Sequence, residues 1–385
     1  MTENKLEFFY YINYLRALAI LMVVFTHLNG LSAYLRPADF QFWGQINDII
    51  TAGKHGVSLF FVVSAYTLCR SLFLRSQESH SRLKYFIRRY FRIAPAYYLI
   101  LLIIFFSVGE AIPDNFYLSS TLSWQSLLMH FSFLNGLTPA HINNFLGVEW
   151  SVAAEFLFYL LLPAYFFFIL RQRRLFQALT LILTYFAAVV LACWLYLNLK
   201  TLTQLGGSFH TILIVRWCYF FIGSHFHEFT LGVVAWFILD YWKFTFNQFF
   251  VKILFYLMPL IYIVAAYAEV EYWSGYYSGL IQIGFWGLYF LLLLITFNQR
   301  PPKLNRFFNK IGELSFSIYL VHFPIFYYFS QIFYFEGISE IKILNAAIFI
   351  VTTLSATVAC SFFLYHIVER FGINCGQRLT EFFDK

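Results

Sequence analysis

The chain has 385 residues, of which 61% are apolar, 23% aromatic and only 12% charged, with a formal net charge of +7. A soluble domain carries roughly 25% charged residues. The shortfall excludes a water-soluble globule, a disordered chain and a coiled coil, and leaves an all-α polytopic membrane protein.

A helix needs ~20 apolar residues to cross the hydrocarbon core of a bilayer. Ten segments meet that length in chain order: 12–33, 56–75, 91–109, 150–170, 176–197, 226–242, 250–268, 277–297, 313–334 and 344–366. The apolar stretches 124–137 and 211–223 are shorter and read as interfacial or re-entrant pieces. Basic residues collect on the cytoplasmic side of a membrane protein. With both termini inside, loops 70–92, 171–174, 243–252, 298–310 and 367–385, together with Lys5 and Arg16, hold 21 of the 26 Lys and Arg. The outer side keeps Arg36, Lys54, Lys200, Arg216 and Lys342. The +7 is therefore mostly a topology signal. No loop is long enough for a soluble domain, so residues 1–385 read as one transmembrane domain. The five cysteines are scattered, without disulfide or metal spacing.

Few polar groups interrupt the apolar segments. Arg16 and His27 in the first are 11 residues apart, three helical turns, which places them on one face with ~16 Å between them along the axis. An ionisable residue at such depth faces the bundle interior or a cavity; a snorkelling Arg and a structural His are the alternative. Arg88, Arg89 and Arg92 stand where the third segment begins. Cytoplasmic charge bias alone accounts for basic residues there, but planar guanidinium groups also suit a phosphate-bearing donor. Glu155 lies about two turns inside the fourth segment, ~9 Å below the outer face and at the depth of His27. A carboxylate there can orient a general base, or lock helix packing. His322 precedes Pro324 in the ninth segment, as a structural kink residue or a second site residue. Neither a G-x-S-x-G nucleophile elbow nor a phosphate-binding G-x-x-x-x-G-K-[ST] loop is present.

Together these segments resemble the acyltransferase-3 family of integral membrane proteins, bacterial members of which acylate cell-surface carbohydrates. The resemblance runs from Arg16 and His27 through GVSLFFVVSAYTL (56–68) to Arg89, Arg92 and Pro95. It continues with Trp150, Ser151, Glu155, Phe158 and Tyr159, then SFSIYLVHFP (315–324) and Val368–Arg370. It implies His27 as catalytic base, Arg16 as its same-face partner, and Arg89 and Arg92, with Arg88, as binding residues for an acyl-CoA donor. Glu155 matches the family's helix-four carboxylate; orienting His27 is the role its depth suggests. Trp150, Ser151 and His322 are secondary site residues. The implied donor is acetyl-CoA, with succinyl or a longer acyl group open, and no metal. The implied partners are a surface polysaccharide or lipid-linked glycan and membrane lipids, not nucleic acid, at a bacterial inner membrane. Attack can be direct or pass through an acyl-His intermediate.

Three positions depart from the family pattern: Ser58 replaces an acid, Ala65 a glycine, and Phe371 the closing proline. The soluble domain that follows the membrane part in some relatives is expected to be absent. The competing reading is a secondary transporter or flippase with Arg16, His27 and Glu155 as a proton relay, although the two halves show none of the symmetry common in transporters.

Overall fold

The computed structural model describes residues 3–31, 42–108, 122–204, 209–271, 278–303, 305–336 and 342–383. Arg36 and Lys385, and the expected helix ends at 32–33, 109 and 277, lie outside the described residues. The described residues form helices and their connections, with no strand among them.

Fourteen α-helices follow in order. They are α1 (Glu3–Leu31), α2 (Phe42–Thr51), α3 (Gly56–Leu74), α4 (Ser81–Val108), α5 (Trp124–Phe131), α6 (Trp150–Leu170) and α7 (Arg174–Gln204), then α8 (Phe209–Phe220), α9 (Ile222–Trp236), α10 (Gln248–Glu271), α11 (Ser278–Gln299), α12 (Arg306–Glu336), α13 (Lys342–Phe363) and α14 (Arg370–Phe382). Among the described residues, eight stretches are long and apolar enough to cross a membrane, and Gly284–Gln299 is a shorter apolar helix. Each of the ten expected segments falls on helix, which makes the chain an all-α polytopic membrane protein.

Three local expectations change. Helix α4 begins ten residues before its apolar run, because SRLKYFIRR is helical although too charged to count as hydrocarbon-spanning. The segment 211–223 is α8, and Leu213–Tyr241 reads as one apolar stretch broken at Phe221. The last expected loop contains α14, preceded by a π-helical segment at Leu364–Glu369. A run of small residues explains α14: Gly372 and Gly376 sit against the backbone and ring of Phe91 and against Pro95. Pro95 has no N–H for the carbonyl of Phe91 four residues earlier, and a glycine can approach that carbonyl where a Cβ would collide.

The helices pack as two compact units, residues 1–63 with 244–363 and residues 64–243 with 364–385. In the first, α1 packs on α12, α2 and the 3-10 turn Ala52–His55, and α12 on α13. Ala17, Ala19, Ile20, Phe290 and Phe326 are fully buried there. Thr26 Oγ1 donates to the Ile50 carbonyl at 2.6 Å, and Asn29 Nδ2 to Asn47 Oδ1 at 2.8 Å. Gly53 lies too close to the Met22 carbonyl and Thr26 Oγ1 for any side chain. In the second, α7 packs on α9 and α4 on α14. Phe158 stacks on Phe229 at 4.2 Å between centroids, while Leu183, Phe186 and Val190 of α7 are exposed. Such apolar faces suit contact with lipid chains.

Candidate functional site

In the first unit the site is set by the register of two helices. Near their N-terminal ends, Asn13 Nδ2 donates to Asn309 Oδ1 at 2.8 Å and Tyr14 stacks on Phe308 at 5.1 Å. Gly312 rests so closely on the backbone of Asn13 that a Cβ would overlap it. Both helices then rise about 20 Å in the same direction. There His27 Nδ1 and His322 Nε2 meet at 3.0 Å, their rings inclined by 28°. Phe323 packs nearly perpendicular to the His27 ring with 5.0 Å between centroids, and Tyr319 and Phe326 flank His322. His322 is fully buried and His27 half-buried.

The hydrogen bonds order the protons of the neutral pair. His322 Nδ1 lies 2.8 Å from the carbonyl of Tyr319 and 3.2 Å from that of Ile318. A carbonyl only accepts, so His322 Nδ1 carries the proton and donates it, which leaves Nε2 as an acceptor. His27 Nδ1 must then be the donor across the 3.0 Å contact, and the lone pair of His27 resides on Nε2. This chain of donors fixes a tautomer and ring orientation suited to a general base. Arg16 is half-buried on α1, three turns before His27 on the same helical face.

The second unit gathers the carboxylate and the guanidinium groups. Ser64 and Tyr159 both donate hydroxyl protons to Glu155 Oε1, the latter at 2.6 Å. Tyr159 is one turn below Glu155 on α6, and Ser64 comes from α3. Arg89 interacts electrostatically with Glu155, Tyr159 and Arg92, and its guanidinium stands 6.0 Å over the Tyr85 ring. Arg89 Nε is buried with no hydrogen-bond partner among the described residues. Two guanidinium groups and one carboxylate leave a net positive charge. Arg88 is held by Glu78 at 3.0 Å, and it lines a small recess with Arg75, Arg82 and Tyr85.

The loop before α6 positions Trp150 and Ser151. Glu149, fully buried, accepts the backbone N–H groups of Phe145, Leu146 and Val148 at 2.6, 2.9 and 3.1 Å. Each bond to a charged group contributes about 1.5–3 kcal/mol, so this carboxylate is the anchor of the turn. His130 approaches Glu149 to 3.4 Å and donates through Nδ1 to the Ser126 carbonyl at 2.7 Å. Ser126 Oγ lies 2.8 Å from His141 Nδ1; burial first, then neighbouring His130, hold His141 below its ordinary pKa. Ser151 Oγ donates to the Val148 carbonyl at 3.3 Å, and Trp150 stacks on Phe220 at 5.0 Å.

The predicted residues thus divide. His27 and His322 come together in one unit; Glu155, Arg89 and Arg92 cluster in the other. Sequence reasoning missed Ser64, which carries no charge to mark it, and the buried His130–Glu149 contact. It also missed Glu269, which binds Lys54 at 2.6 Å, His55 at 3.1 Å and the Trp286 indole N–H at 3.1 Å, and the Arg70–Asp240 ion pair. Acidic residues at the ends of apolar helices, Asp240 and Glu269, were the available signal. Among the described residues no three His, Cys, Asp or Glu converge as a metal site.

The family model described as "Acyltransferase domain" matches residues 9–366, across both units. Peptidoglycan O-acetyltransferase OatA of Listeria monocytogenes is 32% identical over 166 residues, which cover 39% of this chain and 23% of that protein. The chain therefore spans less than a quarter of that relative's length. No solved structure matches the chain. With a deep histidine pair, a carboxylate–guanidinium cluster and a family match over nearly every helix, the chain belongs to the acyltransferase-3 family of integral membrane acyltransferases.

Proposed function

We propose that this chain is an acyl-CoA-dependent O-acetyltransferase that moves an acetyl group from cytoplasmic acetyl-CoA to a hydroxyl of a cell-surface carbohydrate. It acts in a bacterial inner membrane as one transmembrane domain of ten crossings, with both termini inside. The relative's printed name supplies the acetyl group and the carbohydrate class. The observation that carries the reading is the proton order of His27 and His322.

His27 Nε2 takes the proton of the acceptor hydroxyl as its oxygen attacks the thioester carbonyl. The tetrahedral intermediate collapses with cleavage of the C–S bond, and the imidazolium returns the proton to the departing thiolate, giving free CoA and the acetyl ester. His322 holds the ring of His27 and accepts its Nδ1–H throughout. Arg89 and Arg92, with Arg88, bind the phosphates of the donor by charge-assisted hydrogen bonds. Glu155 balances the two inner guanidinium groups, and Arg16 sets the field on the His27 face of α1. Trp150 and Ser151 shape the end of α6.

The test is transfer by the purified, reconstituted chain from acetyl-CoA to a carbohydrate acceptor, read as free thiol and as acetylated product. His27→Ala should lower turnover by about 10²–10⁴-fold, the range of general-base catalysis. Wild-type turnover in a folded His27→Ala protein would overturn the assignment.

A further inference from the structure

Helix α1 has a second face. Leu18, Leu21, Met22 and Phe25 line a cavity of about 590 Å³ whose remaining wall comes from α2, the 3-10 turn Ala52–His55, α10 and α11. That volume is within the ~300–1,000 Å³ range of small-molecule sites. The cavity is apolar. Its two tyrosine hydroxyls are turned to backbone: Tyr262 donates to the Ile49 carbonyl at 3.1 Å and Tyr289 to the Met258 carbonyl at 3.0 Å. A buried water needs two to four polar partners, and this wall offers few. A hydrocarbon guest meets no such cost.

The mouth shows where the guest comes from. Phe25 and Ile263 line the cavity and are 46% and 45% exposed, on helices long and apolar enough to cross a bilayer. Beside Ile263, Leu260 and Val264 are also exposed. The opening therefore faces lipid chains. The guest is not the reacting acyl group. Leu18 is nine residues from His27, half a turn away at about 100° per residue, and His27 is directed at α12. At the same end as Phe25, Gly53 of the wall packs on Met22 and Thr26 and is followed by Lys54, whose side chain is 40% exposed while it binds Glu269.

We propose that this cavity is a binding site for one acyl chain of a bilayer phospholipid, with the lipid phosphate at Lys54. Its occupant supports α1 from the side opposite His27. The site is independent of the chemistry at His27 and is read without assaying transfer.

The experiment reconstitutes the chain in nanodiscs of phosphatidylglycerol and phosphatidylethanolamine with a tracer phospholipid bearing a photoreactive acyl chain. Labelled peptides are then mapped by mass spectrometry. Labelling around Met258 and Leu293 should exceed that of the lipid-facing α7 segment around Leu183. Leu293→Trp, which fills the cavity, should lower it by about tenfold while α7 labelling is unchanged. Ile263→Trp at the mouth serves as the second variant, with elution profile as the check on folding. Equal labelling of the two regions, insensitive to both folded variants, would overturn the site. A photoreactive diacylglycerol without phosphate should label the cavity less, and Lys54→Gln should erase that difference. Labelling by diacylglycerol equal to phospholipid in the native chain would overturn the assignment of the headgroup.

Discussion

The histidine pair of the first unit and the Glu155 cluster of the second both bury polar groups in an apolar bundle, yet they are built from opposite materials. His27 and His322 form a line of neutral donors and acceptors that ends on two backbone carbonyls. A proton taken up at His27 Nε2 gives an imidazolium whose Nδ1–H keeps His322 Nε2 as its acceptor. Glu155 instead is a carboxyl group that accepts two hydroxyl protons and interacts electrostatically with Arg89. Buried charges persist only when paired and hydrogen-bonded, and the hydroxyls of Ser64 and Tyr159 and the Arg89 guanidinium supply such partners. The contrast supports the proposal of proton chemistry at the histidine pair and of anion recognition at the guanidinium cluster.

Removing the line of donors should do most to erase the contrast. His322→Ala takes away the acceptor of His27 Nδ1–H, and kcat should fall by about 10–100-fold, as when outer-shell partners of an active histidine are removed. His322→Gln keeps an acceptor oxygen and should recover part of the loss. A merely structural role for His322 predicts equal loss in both variants with no change in the pH profile of kcat. A role in setting the tautomer predicts that the limb due to His27 moves in His322→Ala and less so in His322→Gln.

The next effect belongs to the guanidinium groups and should appear in KM. Arg89→Ala or Arg92→Ala should raise the KM for acetyl-CoA by about 10–100-fold, the worth of one charge-assisted hydrogen bond at roughly 1.5–3 kcal/mol. Turnover at saturation should stay within a few-fold. Arg89→Lys should not restore the native value, because a lysine cannot present the planar fork. Unchanged acetyl-CoA titrations in folded variants would remove both arginines from the donor site.

The legible and illegible parts of this molecule follow from sequence separation. Spanning helices were readable because each is a local run of apolar residues whose length is set by the bilayer. Helix α14 was not, because its stability comes from Gly372 and Gly376 against Phe91, a contact nearly 300 residues away in the chain. The site shows the same division. His27, Glu155, Arg89 and Arg92 stood out as ionisable groups in apolar surroundings, and His322 as a histidine in the ninth segment. That His322 is the group at hydrogen-bond distance from His27 depends on the Gly312–Asn13 approach, which no periodicity encodes. Likewise Ser64 has no feature of its own; only the fold brings it to Glu155. Gly312→Ala gives a direct measure of this dependence. An inserted methyl should cost about 1–3 kcal/mol of stability and lower kcat by displacing His322, with KM for acetyl-CoA unchanged.

The smallest expected effect separates two roles for Glu155. The depth argument from sequence makes it the group that orients His27; its electrostatic interaction with Arg89 makes it a counterion of the guanidinium cluster. Glu155→Gln distinguishes them because the amide oxygen still accepts the hydroxyls of Ser64 and Tyr159 while the charge is lost. As a counterion, Glu155 opposes the donor's phosphates, and its neutralisation should lower the KM for acetyl-CoA by up to about fivefold, the scale of a weak charge pair near 0.2–1 kcal/mol. The kcat limb assigned to His27 should then stay in place. As an orienting group, its neutralisation would drop kcat and move that limb, with KM unaffected. Glu155→Ala strips both hydroxyls of their acceptor and should destabilise the protein under either role. The glutamine variant, measured across pH at saturating and limiting acetyl-CoA, is therefore the informative one.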